Sequence, residues 1–443
     1  MGMKRLAHDD PLADFIDTAT WHGTLESAEA ILAEHPQIAT VSIHAAAILG
    51  DDATVRRFLA LDAANATATA APYGGNALVY LCLSNYLRLD KERSEGFLRA
   101  ATALLDAGAD PSSGFWTEGT HRELETALYG AAGVAHHAEL TRLLLERGAN
   151  PNDEEAVYHS PETYDNAAMQ LLVETGKLTD DNLALMLIRK HDWHDFEGAK
   201  YLLERGVDPN RMRWRGWRAM HHAIARDNRL EIIELLLDHS ADPTLEQDGK
   251  SAVALATRRG RADILDLFER RGIPIELQGV ERLIAACARN DSAGVRSIVA
   301  SEPALVAELK AEGGKLLAEF AGNGNTEGIR QLLDLGVDVD ARFAAGDGYW
   351  DVAPNSTALH VASWRAQHDA VKLLIERGAQ VNAPDSKGRK PLALAVRACV
   401  DSYWTGRRSP DSVAALLDAG ASTSGIQFPT GYKEVDELIK ARM

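Results

Sequence analysis

Short apolar stripes alternate with polar turns in a phrase that returns along the chain. "LLDAGADP" (104–111), "LLLERGANPN" (143–152), "LLERGVDPN" (202–210), "LLDLGVDVD" (332–340) and "LLIERGAQVN" (373–382) are near-copies of one another. The run Leu373, Leu374, Ile375 reads as the buried stripe of a helix. Gly378 ends that helix in a left-handed conformation that only glycine adopts cheaply. The polar residues that follow turn the chain towards the next unit. One such unit cannot bury its own apolar face, so neighbours must stack and stability is spread along the array.

The fullest unit, "TALHVASWRAQHDAVKLLIERGAQVNAPDSKG" from Thr357, resembles an ankyrin repeat, whose pattern T-P-L-H-x-A returns roughly every 33 residues. Thr357, Leu359, His360 and Ala362 match it, and Gly388, Pro391, Leu392 and Ala395 take the same places in the next unit. The resemblance extends over almost the whole chain. It implies an all-α fold, a solenoid of stacked antiparallel helix pairs with hairpin or loop fingers and a concave groove. It implies that Thr357 caps a first helix, that His360 is a structural histidine, and that Ala362 lets the paired helices approach. On this template about twelve units begin near residues 13, 42, 74, 124, 157, 183, 217, 250, 280, 315, 356 and 389. The expected organisation is one array over 1–443: an N-terminal capping repeat in 1–41, repeats with a long insertion in 42–115, specialised central repeats in 116–245, further repeats in 246–421, and a C-terminal capping helix in 422–443. The resemblance also implies a non-catalytic scaffold that recognises a protein or peptide partner through its concave face and fingers.

Charge narrows the partners. Lys plus Arg number 47 and Asp plus Glu 65, a net charge of −18. Nucleic-acid backbones and anionic membranes are repelled by such a chain. No apolar run approaches the roughly 18 residues of a membrane span. The N-terminus lacks the apolar core of a signal peptide, and Leu6 stands where a myristoylation signal wants Ser or Thr. Cys82, Cys287 and Cys399 lie far apart in apolar surroundings, the usage of reduced thiols. The expected location is the cytoplasm, and no cofactor or metal is expected.

Departures from the template point to the specialised region. Insertions fall within 79–97 and 398–411, and a long connection over 341–356 carries Tyr349, Trp350 and Asp351. From Trp116 to His222 the chain holds eight of its fifteen His residues. Several have template explanations. Tyr129 takes the repeat-histidine site, Tyr201 replaces a Leu of a buried stripe, His136 and His137 fall in an interhelix loop, and either His221 or His222 is a repeat histidine. "KHDWHD" (190–195) has no such explanation. Lys190 and His191 fall where the repeat wants small residues, so they either turn outwards to the groove or join a buried polar network. The outward reading is the sharper one, because Pro161 breaks the first helix of the neighbouring unit and would leave a recess. The candidate binding residues are His159, Tyr164, Asp165, His191, Asp192, Trp193, His194, Asp195, Arg213, Trp214, Trp217, His221 and His222.

Two readings of that region stay open. A small-molecule or carbohydrate groove would use its aromatic planes with His, Asp and Arg. An acid–base enzyme would set Glu162 or Asp165 against His191, Asp192 or Asp195 across the groove. His191 and His194 share a helical face, but His-x-x-His alone is a weak metal signal. The segment "NRMRWRGWRAMHH" (210–222) interleaves Arg with Trp. It can clamp a carboxylate or phosphate, or simply pair its arginines with acidic neighbours.

Overall fold

The computed structural model describes residues 10–442 with the exception of residues 121, 214, 215 and 403. The residues gather into two compact units, Met1–Arg226 with Leu235–Ala241, and Asp227–Glu234 with Asp242–Met443.

In the first unit, helices follow one another in antiparallel pairs. Pro11–Ala19 is followed by Leu25–Glu34, Ile43–Ile48 by Asp52–Leu61, and Asp180–Asp192 by Phe196–Glu204. Starts are set by side-chain caps: Asp10, Thr24, Ser42, Asp51, Thr179 and Asp195 each accept a backbone N–H of the first turn. The insertion at 79–97 does not extend its helix. Ala77–Cys82 stops, and the Ser84 hydroxyl caps a new helix, Asn85–Leu89, ahead of Ser94–Asp106. Two hairpin fingers pair Thr69–Ala70 with Gly75–Asn76 and Gly114–Trp116 with Leu124–Thr126. The helix Ala127–Tyr129 runs on into one π turn, Gly130–Val134. A side chain at Gly133 would collide with His159 Cβ at 2.8 Å and with the Tyr129 ring, so glycine lets these two pairs meet. Glu154–His159 is short because Pro161 follows it, and Ala167–Glu174 is its partner.

In the second unit the pairs include Ala252–Arg258 with Ala262–Arg270, Gly313–Gly322 with Thr326–Asp334, Ala358–Trp364 with His368–Glu376, and Pro391–Asp401 with Asp411–Asp418. Thr357 and His360 cap each other reciprocally, and His360 Nε2 reaches the Arg389 carbonyl of the next pair at 3.1 Å, the structural role the template gave it. Leu373 and Leu374 are buried, each contributing about 2 kcal/mol of apolar burial. Gly378 follows with φ of 87°. The connection 341–356 tucks Trp350 into a core with Phe343, Val361 and Trp364, and Trp404 from the last insertion packs on it with ring centroids 5.2 Å apart. All three cysteines are free and buried.

Candidate functional site

"KHDWHD" occupies the last turn of Asp180–Asp192 and the tight loop before Phe196–Glu204. Trp193 is the C-cap, and His194 takes a left-handed φ of 52° so that Asp195 can cap the next helix. The chain thus turns within three residues, and the polar side chains before the turn face inwards. Lys190 and His191 are fully buried, and Asp192 and Asp195 nearly so. Of the two courses open to Lys190 and His191, the outward one is not taken; they join a buried polar network.

Lys190 sits at its centre. Its Nζ lies 2.6 Å from Asp195 Oδ2 and donates to the carbonyls of Pro161 (3.0 Å) and Thr163 (2.7 Å). Asp195 also accepts from Asn166 Nδ2 at 2.9 Å and Gly198 N at 3.1 Å. A buried ammonium is tolerated only with such a full set of partners. Burial raises the Asp195 carboxyl, but Lys190, Asn166 and Gly198 together hold it below the usual carboxylate range. The carbonyls Lys190 engages belong to the loop left where Pro161 ended the neighbouring helix. The ammonium therefore pins that loop.

Arg189 and Asp192 carry the network further. Arg189 pairs with Asp192 and with Glu162, and its guanidinium lies 4.1 Å from the centroid of the Tyr158 ring. Asp192 also lies 2.9 Å from His222 Nε2 and accepts from Arg226 Nε at 2.6 Å. Burial works to raise the Asp192 carboxyl, and the His222 bond with the Arg189 and Arg226 cations outweighs it, keeping it ionised far into acid. Burial depresses His222 against the pull of Asp192. Burial, then the nearby His222, push His191 down to about 3, so it is neutral at pH 7. His221 aligns with His360 as the repeat histidine, and His222 is the extra one that joins Asp192.

The remaining candidates lie nearer the surface. Tyr164, on the pinned loop, is 66% exposed, and its ring meets Trp193 edge-on at 5.8 Å. Asp165 is exposed, while His159, Trp193 and His194 are part-exposed. His159 Nδ1 lies 2.8 Å from Glu162 Oε2, and Nε2 lies 3.3 Å from Glu155 Oε2. Arg213 and Trp217 close a tight turn through reciprocal backbone hydrogen bonds of 2.8 and 3.0 Å. Arg211 on the same finger pairs with Asp181 at 2.5 Å and Asp180 at 3.5 Å, the neighbour pairing weighed for this stretch. Trp214 lies outside the described residues. The structure therefore brings Tyr164 and Trp193 together, leaves Asp165 exposed beside Tyr164 and His194 part-exposed after Trp193, and places His191, Asp192, Asp195, His221 and His222 beneath the surface. Among the described residues no three His, Cys, Asp or Glu side chains are grouped to hold a metal ion. No helix among them is long and apolar enough to cross a membrane.

The family model for ankyrin repeats matches residues 155–247, 185–279, 283–385 and 317–424, more than half of the chain. The chain belongs to the ankyrin-repeat family. Ankyrin-repeat proteins generally mediate protein–protein interaction. This ankyrin-repeat chain is similar to the ankyrin repeat domain-containing protein SAT10 of Stachybotrys chartarum, 31% identical over 217 residues, which is 44% of this chain and 9% of that protein. It is similar to the human transient receptor potential cation channel subfamily A member 1, 25% identical over 305 residues, 60% of this chain and 25% of the channel. Protein glp-1 of Caenorhabditis elegans is 29% identical over 184 residues, 36% of this chain and 14% of that protein. The chain spans at most a quarter of the length of these relatives.

Arg189 is absent from the sequence candidates. Arg189 had a signal, a long basic side chain one step before the polar run.

Proposed function

We propose that this ankyrin-repeat chain is a cytoplasmic binding scaffold whose central repeats recognise a protein or peptide partner. The contact would centre on Tyr164, Asp165, Trp193 and His194, with His159, Arg213 and Trp217 at its edges. The observation that carries this reading is Tyr164, a 66% exposed aromatic on a loop held by the buried Lys190 ammonium. An aromatic anchor on a fixed loop binds with little ordering cost, and interface hot spots favour such residues. Asp192, Asp195, His191, His221 and His222 act in this reading as the support beneath the contact. The same residues weigh against a sugar groove or an acid–base centre, since their charges are spent on Lys190, Arg189 and Arg226.

Peptide display against the full chain tests it. Selected peptides should bind wild type at least tenfold more tightly than Tyr164→Ala with Trp193→Ala, while Tyr349→Ala in the other unit changes nothing. The exposed substitutions at Tyr164 and Tyr349 should each shift stability by about 0.5 kcal/mol or less. Peptides that bind the double variant undiminished would refute the reading.

A further inference from the structure

Beside the Tyr164 loop, the first unit holds a carboxyl that the network above does not use. Glu125 lies in the finger strand Leu124–Thr126, directly opposite Phe115 in the antiparallel pair. Residues so paired project from the same face. Phe115 packs on Tyr73, with stacked rings 5.0 Å apart, and on Trp21 at 6.1 Å. The Trp21 indole N–H donates to the Tyr129 hydroxyl at 3.2 Å, and Tyr129 meets His159 at 5.2 Å. Glu125 is 1% exposed, and its Oε2 is enclosed with no hydrogen-bond donor among the described residues. Nearly every buried carboxylate finds a donor. This one shares a face with Phe115 and has further acids about it.

The charges facing it are unbalanced. Of the charged neighbours Glu155, from the helix Glu154–His159 packed on this strand, acts on it most, followed by Glu123 and Asp153, and His159 works in the opposite direction. His22 packs on Trp21 with ring centroids 4.1 Å apart and feels both Arg88 and His159, and Arg88 donates to Asn85 Oδ1 at 2.8 Å. Glu155 and His159 are part-exposed, so the cluster opens to solvent at its rim. Acids backed by aromatic faces attract an ammonium, both by charge and through the ring quadrupoles. The π turn at Gly130–Val134 lies under the same rings, and such turns recur at functional sites.

We propose that Glu125 and Glu155, with the rings of Trp21 and Tyr129, form a seat for a primary ammonium group, the side chain of a lysine in the partner. The proposal rests on the peptide-binding reading above and adds a chemical preference to it. Burial, reinforced by Glu155 and Glu123, pushes the Glu125 carboxyl up to about 8, so at pH 7 it is mostly protonated. A seated ammonium favours the carboxylate, and binding therefore expels the Glu125 proton to buffer.

Calorimetry on the full chain at pH 7 and 150 mM salt tests this with an octalysine peptide and with spermidine, each in phosphate and in Tris. Octalysine should bind wild type with release approaching one proton. Glu125→Gln should release none and bind at least tenfold more weakly. Glu155→Gln, altering a part-exposed residue, should weaken binding as much. Glu327→Gln, in the other unit, should match wild type. Equal binding by Glu125→Gln and wild type would mean general attraction to an acidic chain and overturn the seat, as would no binding of either probe. Tighter binding of spermidine than of octalysine would overturn the lysine side chain as occupant. Display-selected peptides that need Tyr164 and Trp193 but ignore Glu125 would overturn this inference and leave the scaffold reading standing.

Discussion

Asp192 in the first unit and Asp227 in the second are both buried carboxylates shared among cations, but they are built from different cations. Asp192 is held by Arg189, Arg226 and His222, with neutral His191 beside it. Asp227 is held by Arg259 and Arg365, and Arg259 also reaches Glu319 at 3.0 Å. Burial would raise the Asp227 carboxyl, but the Arg259 and Arg365 guanidiniums keep it far below its ordinary range. Guanidiniums do not titrate in any accessible range, whereas imidazoles do. The second network is a fixed brace. The first includes imidazoles that burial keeps neutral, so acid that protonates the unfolded chain works against it, and it lies under the loop that carries Tyr164.

The contrast can be broken most severely at the fixed brace. Asp227→Ala leaves Arg365 buried without its carboxylate and puts alanine at a left-handed φ of 52°. The expected loss is about 5 kcal/mol, the upper end for breaking a buried pair. Hydrogen exchange should show it in residues 242–443, and wild-type protection there would refute the brace. In the first unit, Lys190→Met leaves Asp195 without its cation and two carbonyls without their donor. A loss of about 3 kcal/mol is expected. Exchange over 160–166 should rise more than elsewhere, and unchanged exchange there would show that the loop needs no pin.

The third expectation concerns pH. His191 has a folded pKa near 3, below the ordinary 6.5, so the unfolded chain takes up the proton first. Its contribution is complete above pH 6.5 and falls by about 1.4 kcal/mol per pH unit below that. Glu125 is raised, so its contribution is complete below the ordinary 4.5 and is lost as the pH rises through about 8. Asp227 is lowered, so its contribution is complete above the ordinary 3.8 and is lost only in acid below that. Glu125→Gln should therefore be more stable than wild type by about 3 kcal/mol at pH 7, with the gap closing towards pH 4.5. Urea midpoints against pH measure this, and parallel curves would exclude a protonated Glu125.

Much of the fold was legible because the repeat writes its own punctuation. The apolar stripe at 373–375, Gly378 and the Thr357–His360 pair could be read from neighbours in sequence. The two faces of "KHDWHD" could not. Whether Lys190 points in or out depends on the carbonyls of Pro161 and Thr163, nearly thirty residues away. Pro161 itself was legible as a break, but not what would fill it. Glu125 was hidden for a similar reason, since its burial follows from the strand opposite it and the ring of Phe115. Trp350 and Trp404 were visible only as separate insertions, and their packing together is a tertiary event.

The Lys190 ammonium has one more consequence. In an ideal repeat protein each helix pair is a part that can be exchanged for any other, since neighbours meet through generic apolar faces. Here the pair Glu154–His159 and Ala167–Glu174 lacks an ordinary loop of its own and takes two hydrogen bonds from the side chain of the next pair. These neighbours have become a matched set. Swapping either for a consensus repeat would strand the other, so the smallest unit that can be moved, duplicated or grafted in this stretch is two repeats long.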